Sequence, residues 1–476
     1  MFKIKHKHHR INLRLLTGFV LLLSAIIIYQ QVRISKEKAS IVDLPQIQKK
    51  GELRALTLYS SASYFIYRDK EMGYEYEICS RLADSLGLKL KMVIAPNPKA
   101  LIGMLERGEG DIVAYNLPKT MESKKNFLYC GREFLTHQVL VQQNDNPSKR
   151  IRKVTELIGK TVVVHKGSRH LTRLQHLNSE IGGGIRIRTV DIDSLSEEDL
   201  IGMVAMGEID YTVVDNNIAQ FNKTFYKNIS TSLALSFSQH SSWMVRKTSR
   251  LLAAKVDDWF RKNLQSTEYK STTKRYFELS KGPSKYLTSG LIVLSNGSIS
   301  SFDPLFKIYA KKIGWDWRLL ASIAYQESNF DPLAENWTGA KGLMQIMPKT
   351  AQVLGLPRDS LFDSQTSIRG AAKLLRLYER YLSGISDKEQ RIKLTIAAYN
   401  CGYGHIKDAR ALARKHKQNP DMWDGENVGK FILLKSRPEY YQDPVCEQGY
   451  LRGNETAQFV MEVWTRYEHY LKKGAR

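Results

Sequence analysis

Between residues 47 and 270 the sequence alternates short strand-like segments with amphipathic helical segments, and this alternation constrains the fold more than any other feature. Short apolar runs bounded by turn residues predict buried strands, whereas apolar residues at a spacing of three or four predict helices. Such alternation is typical of an α/β domain with mainly parallel sheets, and its two similar rounds predict two lobes. The predicted strands are Glu52–Tyr59, Leu88–Ile94, Asp111–Ala114, Thr161–His165, Ile185–Val190 and Asp210–Val214, and the predicted helices are Tyr76–Leu86, Leu101–Arg107 and Ser196–Gly207.

A basic flank, residues 1–12, precedes an apolar run over residues 13–30. A helix of that length could cross a thin hydrocarbon core, and the positive flank predicts a cytoplasmic N-terminus. The residues after the run contain no clear small-x-small cleavage site and no cysteine, which favours an uncleaved signal anchor over a signal peptide and excludes a lipoprotein anchor. We therefore expect the rest of the chain to face the periplasm, anchored in the inner membrane, or associated with the outer membrane if the signal is cleaved.

The net charge of +24 favours a polyanionic partner. The basic residues are scattered and no zinc-finger spacing or other nucleic-acid signature is present, so we expect no nucleic-acid partner. None of the four cysteines forms a CxxC pair, so neither a metal site nor a cofactor is predicted. Cys401 and Cys446 could pair in an oxidising compartment, but four buried thiols are equally compatible with the sequence.

Residues 271–300 mix Ser, Thr, Lys, Gly and Pro, which is typical of a linker. Residues 31–46 are predicted to link the anchor to a front domain over residues 47–270. From residue 301 to residue 476 the pattern predicts a mainly α-helical domain.

One carboxyl in this last domain has the placement of a general acid. Asp316 can cap a helix over Trp317–Ser328, and Glu327 falls on the same face as the apolar Leu320 and Ile323. Partial desolvation would raise the pKa of such a carboxyl towards neutrality. An ordinary carboxylate at a helix end is compatible with the same spacing.

The front domain resembles the family 3 periplasmic solute-binding proteins through Gly73-Tyr-Glu-Tyr-Glu, Gly159-Lys-Thr-Val-Val-Val and Gly207-Glu-Ile-Asp-Tyr-Thr-Val-Val-Asp. The resemblance implies a ligand held between two hinged lobes, with its amine at Asp215 and its carboxylate at Ser168. Ser123 stands where the family has an arginine, so the bidentate fork for a carboxylate is missing. A free α-amino acid is therefore in doubt, and a wall peptide or a vestigial cleft remain open.

Three blocks in the last domain resemble the lytic transglycosylases with a lysozyme-like (goose-type) fold: Glu327-Ser-Asn-Phe, Gly342-Leu-Met-Gln and Ala397-Ala-Tyr-Asn-Cys-Gly. The resemblance implies cleavage of the β-1,4 bond between N-acetylmuramic acid and N-acetylglucosamine, with 1,6-anhydro ends as products. It makes Glu327 the catalytic acid and base. It implies that the substrate groove is lined by Ser328, Met344, Gln345, Tyr399 and Asn400. From the residues alone, Met344 is equally compatible with a core position, and Tyr399 and Asn400 with packing and capping roles.

These observations together predict a multidomain, membrane-anchored peptidoglycan lyase whose front domain senses a small ligand or wall peptide. Its partners would be the glycan strands, that ligand and, through the N-terminus, the membrane. Two alternatives stay open. The chain could be a solute-binding receptor with an inactive lysozyme-like domain, or a hydrolytic muramidase in which water attacks instead of a sugar hydroxyl.

Overall fold

The computed structural model describes residues 42–145, 150–191, 195–279, 297–357 and 360–475. The predicted membrane segment at 13–30 and most of the predicted linker at 271–300 lie outside these ranges. Within them, no helix is both long and apolar enough to cross a membrane.

The front domain consists of two lobes, each built on a five-stranded sheet. The elements that precede the second lobe are α1 (Leu44–Lys50), β1 (Glu52–Leu58), β2 (Phe65–Tyr67), β3 (Lys70–Met72), α2 (Tyr74–Ser85), β4 (Lys89–Ala95), α3 (Pro98–Glu106), β5 (Ile112–Pro118), α4 (Ser123–Asn126) and β6 (Phe127–Thr136). They are followed by β7 (Gln138–Gln143), β8 (Thr161–His165), α5 (Arg169–Glu180), β9 (Arg186–Val190), α6 (Glu197–Met206), β10 (Tyr211–Asp215), α7 (Asn216–Lys223), β11 (Ile229–Ala234), β12 (Gln239–Arg246), α8 (Arg250–Asn263) and α9 (Thr267–Phe277).

The predicted α/β domain with two lobes is confirmed, but the expectation of mainly parallel sheets is wrong. In lobe 1 the strand order is β4-β1-β5-β12-β6, and in lobe 2 it is β11-β7-β10-β8-β9. β4, β1 and β5 are parallel, whereas β12 runs antiparallel to both of its neighbours. The reason is that the chain passes between the lobes twice, from β6 to β7 and from β11 to β12. Each of these four strands pairs antiparallel with a neighbour.

The described part of the C-terminal domain is mainly α-helical, as predicted, with a loop and two isolated β-bridges between Ser328 and Pro348. Its core contains fully buried residues from most of its helices, including Leu320, Ile323 and Leu375. Its helices are α10 (Asp303–Ile313), α11 (Trp317–Ser328), α12 (Pro348–Val353), α13 (Ser364–Tyr381), α14 (Lys388–Cys401), α15 (Tyr403–Lys415), α16 (Val428–Leu434), α17 (Pro438–Tyr441) and α18 (Gly453–Lys472).

The hairpin of β2 and β3 projects from lobe 1 into the C-terminal domain. Its two turn residues, Arg68 and Asp69, have φ angles of 51° and 56°, as a tight two-residue hairpin turn requires. Beside it, Trp337 of the C-terminal domain packs against Phe65, Phe225 and Tyr276 of the front domain, at centroid distances of 5.8–6.3 Å. The two domains therefore share a continuous aromatic contact next to the hairpin.

Candidate active site

Glu327 lies in the last turn of α11. The Asp316 side chain caps the start of this helix by accepting a hydrogen bond from Arg318 N, and Asn329, in the left-handed conformation, ends it. Leu320 and Ile323 on the same face are fully buried, which draws the Glu327 carboxyl inward until 5% of its side chain is exposed. Burial raises the pKa of Glu327 above its ordinary value, and the guanidinium of Arg68 opposes that rise.

The partner of Glu327 comes from the front domain. Arg68 Nη2 donates to Glu327 Oε1 at 2.6 Å, and 8% of the Arg68 side chain is exposed. The same guanidinium donates to the backbone oxygens of Gln345 at 2.6 Å and Asn400 at 3.0 Å. Its carbon lies 5.7 Å from the ring centroid of Tyr399. Arg68 thus occupies the position between Glu327 and the two other blocks singled out in the sequence.

Further contacts hold the hairpin in place. Arg68 N donates to Cys401 O at 2.9 Å, and His405 Nε2 lies 2.8 Å from Ile66 O. The Asp69 carboxylate accepts hydrogen bonds from the hydroxyl of Tyr378, at 3.2 Å, and from Gly404 N, at 3.3 Å. These contacts involve α13, α14 and α15, so the hairpin is attached to the core of the C-terminal domain and does not merely touch its surface.

Three of the predicted groove residues lie beside Glu327 on a common cleft: Ser328, Gln345 and Asn400. Gln345 donates through Nε2 to Ala334 O and Gly342 O at 2.9 and 2.8 Å, and its Oε1 is buried with no partner in the described part of the chain. The Asn400 side-chain oxygen accepts from Thr456 Oγ1 at 2.8 Å. An unpaired buried acceptor is costly, and a hydrogen-bond donor brought to Gln345 Oε1 would remove that cost.

The structure places the two remaining predicted groove residues, Met344 and Tyr399, inside the core. Met344 is fully buried and Tyr399 is 2% exposed. The Tyr399 hydroxyl donates to Met344 O at 2.7 Å, which ties α14 to the Gly342-Leu-Met-Gln turn. Neither lines the cleft in this arrangement of the domains, because the turn directs Met344 towards the apolar core and Gln345 towards the cleft.

The cleft itself has a volume of about 910 Å³ and is built by both domains. The C-terminal domain supplies Glu327, Trp337 and one face of α18, whereas lobe 2 supplies Phe225 and Tyr226. Aromatic rings next to amide and carboxyl groups suit an oligosaccharide, whose sugar rings have both apolar faces and polar edges.

In the front domain, Asp215 is already paired. It forms an ion pair with Arg169, and His170 Nε2 lies 3.4 Å from Asp215 Oδ1. Burial and the charge of Arg169 lower the pKa of His170 to about 3, so this imidazole is neutral at physiological pH. An amine at Asp215 would therefore have to displace Arg169 of the protein.

Ser168, which was expected to receive a carboxylate, and Ser123, which stands at the position of the missing arginine, have structural contacts of their own. Ser168 Oγ accepts from Leu171 N at 3.1 Å as the N-cap of α5 and donates to His165 O at 2.8 Å. Ser123 is buried, and its hydroxyl lies 2.6 Å from the hydroxyl of Tyr129. The structure brings Ser168 and Asp215 to the same lobe, but Ser123 lies within lobe 1, in contact with its strand β6.

The cleft between the lobes has a wall from the C-terminal domain. Its lining includes Tyr59 and Tyr115 from lobe 1, Glu197 from lobe 2, and Tyr441 and Tyr450 from the C-terminal domain. Burial raises the pKa of Glu197 to about 7. A ligand entering this cleft would touch both domains.

A buried junction joins the two lobes and the C-terminal domain around Glu198. Its carboxylate accepts hydrogen bonds from Ser61 Oγ of lobe 1 at 2.7 Å, Tyr450 OH at 2.7 Å and Arg452 Nη2 at 2.8 Å. Arg452 also donates to Asn222 of lobe 2 at 2.9 Å. A movement that separates any two of the three bodies would break part of this network.

All four cysteines are free thiols in this structure. Cys401 donates to Ala397 O and Cys446 to Tyr440 O, so these two are not joined. Burial raises the pKa of both thiols to about 12, which makes them poor nucleophiles. Among the described residues no group of three or more His, Cys, Asp or Glu side chains could hold a metal ion.

Sequence reasoning did not find Arg68, Glu198 or Arg452. Arg68 stands 259 residues before its partner in the sequence, and only its place in a short Tyr-Arg-Asp-Lys turn was visible. Pairings of this kind depend on how the domains dock, and no local pattern encodes that.

Fold and site together define a two-domain protein in which a solute-binding-type domain is joined to a lysozyme-like domain. Comparison with known families agrees: "Bacterial extracellular solute-binding proteins, family 3" matches residues 56–279, and "Transglycosylase SLT domain" matches residues 304–422. A mutant of ArgBP from T. maritima, a solved structure, aligns with 49% of this chain and 98% of its own at 22% identity and a TM-score of 0.40.

Two relatives are similar over nearly the whole chain. The membrane-bound lytic murein transglycosylase F of Desulfosudis oleivorans is 30% identical over 92% of this chain and 94% of its own. That of Pseudomonas fluorescens is 32% identical over 89% of this chain and 86% of its own. The chain belongs to the membrane-bound lytic murein transglycosylase F family.

Proposed function

We propose that the chain cleaves the β-1,4 bond between N-acetylmuramic acid and N-acetylglucosamine in peptidoglycan and leaves 1,6-anhydro ends. The observation that carries this proposal is the placement of Glu327. It is a buried carboxyl on an interdomain cleft, beside the Gln345 amide and Asn400. Family membership supports the same substrate class.

In the proposed reaction Glu327 acts twice. As a neutral acid it gives its proton to the bridging oxygen while the bond from that oxygen to C1 of the muramic sugar breaks. As a carboxylate it then removes the proton of the C6 hydroxyl, and the C6 oxygen bonds to C1. Glu327 ends protonated, and no water is consumed.

Burial sets Glu327 apart from the other carboxylates on the cleft. Asp331, Glu335 and Glu455 line the same cleft but are exposed, and the half-buried Glu462 accepts hydrogen bonds from the side chains of Gln326 and Gln458. Burial raises the pKa of Glu327, and a raised pKa suits a proton donor near neutral pH. This supports one carboxyl acting as both acid and base.

We further propose that the described arrangement is a closed, inactive form. Arg68 fills the space next to Glu327 and favours its ionised form, which cannot donate a proton. Substrate could not reach Glu327 without removing the hairpin. The front domain would then control the enzyme, with a ligand between the lobes favouring withdrawal of the hairpin. We place the enzyme at the periplasmic face of the inner membrane, in keeping with the basic flank and apolar run of its sequence.

The experiment is to incubate the full-length protein and Glu327→Gln with peptidoglycan sacculi and to identify the soluble products by mass spectrometry. Glu327→Gln keeps the shape of the side chain but removes the transferable proton. We expect fragments that end in anhydromuramic acid, lighter by one water than hydrolysis products, from the unmodified protein only.

Each other outcome selects a different reading. Reducing ends from the unmodified protein would identify a hydrolase. Equal products from both proteins would show that Glu327 is not the catalyst. If neither folded protein releases products, Arg68→Met separates the closed enzyme, which this change should activate, from a receptor with an inactive domain.

A further inference from the structure

At one end of the lobe 1 sheet, several strands begin or end, and the described chain also begins there. This end, formed by strand termini and not by an outer strand, is called the edge below. The Asp43 carboxylate accepts from the backbone N–H groups of Leu251 and Leu252, each at 2.9 Å, and Ser249 Oγ donates to Val42 O at 2.7 Å. These bonds fix Val42 at the start of α8. The sequence that precedes residue 42, including the predicted anchor, therefore joins the front domain at this edge.

The sheet register shows which residues share the edge. The first residues of β1, β4 and β5 lie there with the last residue of β12, because Glu52 pairs with Lys89, and Val245 with Ile112. Lys247 just beyond β12 donates to Lys125 O at 2.7 Å, which brings α4 to the same place.

This edge is rich in exposed cations. The exposed basic side chains outnumber the exposed acidic ones two to one, and Leu251 adds an apolar side chain that is 55% exposed. The basic residues are Lys49, Lys50, Lys89, Arg107, Lys124, Lys125, Lys247 and Arg250, and the acidic residues are Asp84, Glu106, Glu109 and Glu122.

We propose that this basic edge rests on the anionic headgroups of the membrane that anchors the chain. Residues 31–41 separate the predicted anchor from Val42, and eleven residues span at most about 40 Å. The edge is thus confined near the bilayer, where Lys and Arg side chains are attracted to an anionic surface. A protein without an anchor would diffuse away from the bilayer, whereas the short segment after the predicted anchor keeps this surface close to it.

The docked orientation has a consequence for the enzyme. The cleft between the lobes lies at the opposite ends of the same strands, beside Leu58 and Ala95. Seven-residue strands such as β1 rise about 23 Å. The cleft and the hairpin that reaches the C-terminal domain are therefore held away from the bilayer, towards the cell wall. This inference rests on membrane anchoring and the fold, and it stands whether or not Glu327 is the catalyst.

The test is amine footprinting of the full-length protein in vesicles. The protein is reconstituted into phosphatidylglycerol–phosphatidylethanolamine vesicles and into phosphatidylcholine vesicles, and an amine-reactive reagent is followed by mass spectrometry. Lys407 and Lys430 of the C-terminal domain, 57% and 43% exposed, are the internal references. We expect Lys125 and Lys247 to react several-fold more slowly in the anionic vesicles, and high salt to abolish the difference. Equal reactivity in both vesicles would overturn the proposal.

A matched pair of variants separates this face from net charge. Lys247→Glu/Arg250→Glu reverses two charges on the edge, and Lys311→Glu/Lys312→Glu reverses two exposed charges on α10. With both proteins shown to be folded, the first should lose the protection of Lys125 and the second should keep it. Equal loss in both would mean that overall charge, and not this edge, attracts the lipid.

Discussion

Glu327 and Asp215 are each held by an arginine, but the two arginines come from different parts of the chain. Glu327 in the C-terminal domain is paired with Arg68 of the front domain, whereas Asp215 in lobe 2 is paired with Arg169 of the same lobe. The first pair is almost fully buried, and the second keeps 37% of its arginine side chain exposed.

The two ion pairs differ in whether they depend on the docking of the front domain against the C-terminal domain. The Arg68–Glu327 pair exists only while the domains are docked, so breaking it changes the chemistry of Glu327. The Arg169–Asp215 pair is independent of docking, so it controls access to one lobe only. An ion pair can couple two domains only when each domain contributes one of its partners.

The largest expected effect comes from Arg68→Met, which removes the charge from the hairpin but keeps much of its length. Loss of charge-assisted hydrogen bonds of roughly 1.5–3 kcal/mol should weaken the closed form and raise the rate of anhydromuropeptide release about ten- to hundredfold. The measurement is the initial rate of product release from sacculi. A rate as low as that of Glu327→Gln would instead make Arg68 a participant in catalysis.

Arg54→Met is the matched control for this variant. Arg54 also lies in lobe 1 and pairs with a buried carboxylate, Asp111, at 2.8 Å, and its hydrogen bonds within the described part of the chain all stay in lobe 1. It should lower the stability of the front domain without raising the rate. Equal activation by both variants would show that general loosening of lobe 1 releases the hairpin.

The next effect concerns Glu198, where both lobes and the C-terminal domain meet. Glu198→Gln leaves the buried Arg452 with only Glu455, at 3.5 Å, as a counter-charge, which should cost about 3 kcal/mol in urea unfolding and raise the basal rate several-fold. Glu180→Gln is the control, because Glu180 is 54% exposed in its pair with Arg173 and its loss should leave the urea unfolding curve nearly unchanged. If the rate stays unchanged while stability falls, the junction holds the fold together but does not restrain the hairpin.

The pH dependence of the rate tests the Arg68–Glu327 pair, because the direction in which the profile should shift can be predicted. Arg68 favours the ionised form of Glu327 and so lowers its pKa, while burial raises it. A general acid works below its pKa, and its rate falls as the pH rises through that value. Removing Arg68 should therefore move the alkaline limb of the pH–rate profile to higher pH. A shift to lower pH would contradict the assignment of Glu327 as the acid.

Much of the fold was predictable because its signals are local. The strand Thr161–His165 and the helix Trp317–Ser328 have the predicted bounds, since their apolar spacing and caps lie within the segments themselves. The hairpin of β2 and β3 was missed because its strands have three residues each and show no period.

The site residues were likewise predictable where the signal is local and not where it depends on the three-dimensional structure. Glu327, Gln345 and Asn400 were found because each lies in a short block that resembles a known family, and the structure places all three on one cleft. Whether a residue next to such a block faces the cleft or the core is set by backbone conformation. Gln345 has a positive φ of 48°, which turns its side chain away from the direction of Met344. The sequence does not predict this backbone conformation.

The smallest effect is expected from Arg169→Met, which breaks the ion pair with Asp215 in lobe 2. Asp215 would lose its cation, but the pair is partly exposed and should contribute about 1 kcal/mol or less to stability. No contact of Arg169 with the C-terminal domain is present among the described residues, so the basal rate on sacculi should stay within about twofold of the unmodified protein. Arg68→Met, measured beside it, should differ by an order of magnitude or more. If Arg169→Met activated the enzyme as strongly, both ion pairs would restrain the hairpin, and the Arg169–Asp215 pair would help to hold it in place. The affinity of lobe 2 for amine-containing ligands is measured as the thermal shift that soluble wall fragments cause. A larger thermal shift together with a small change in rate would confirm that Arg169 affects only its own lobe.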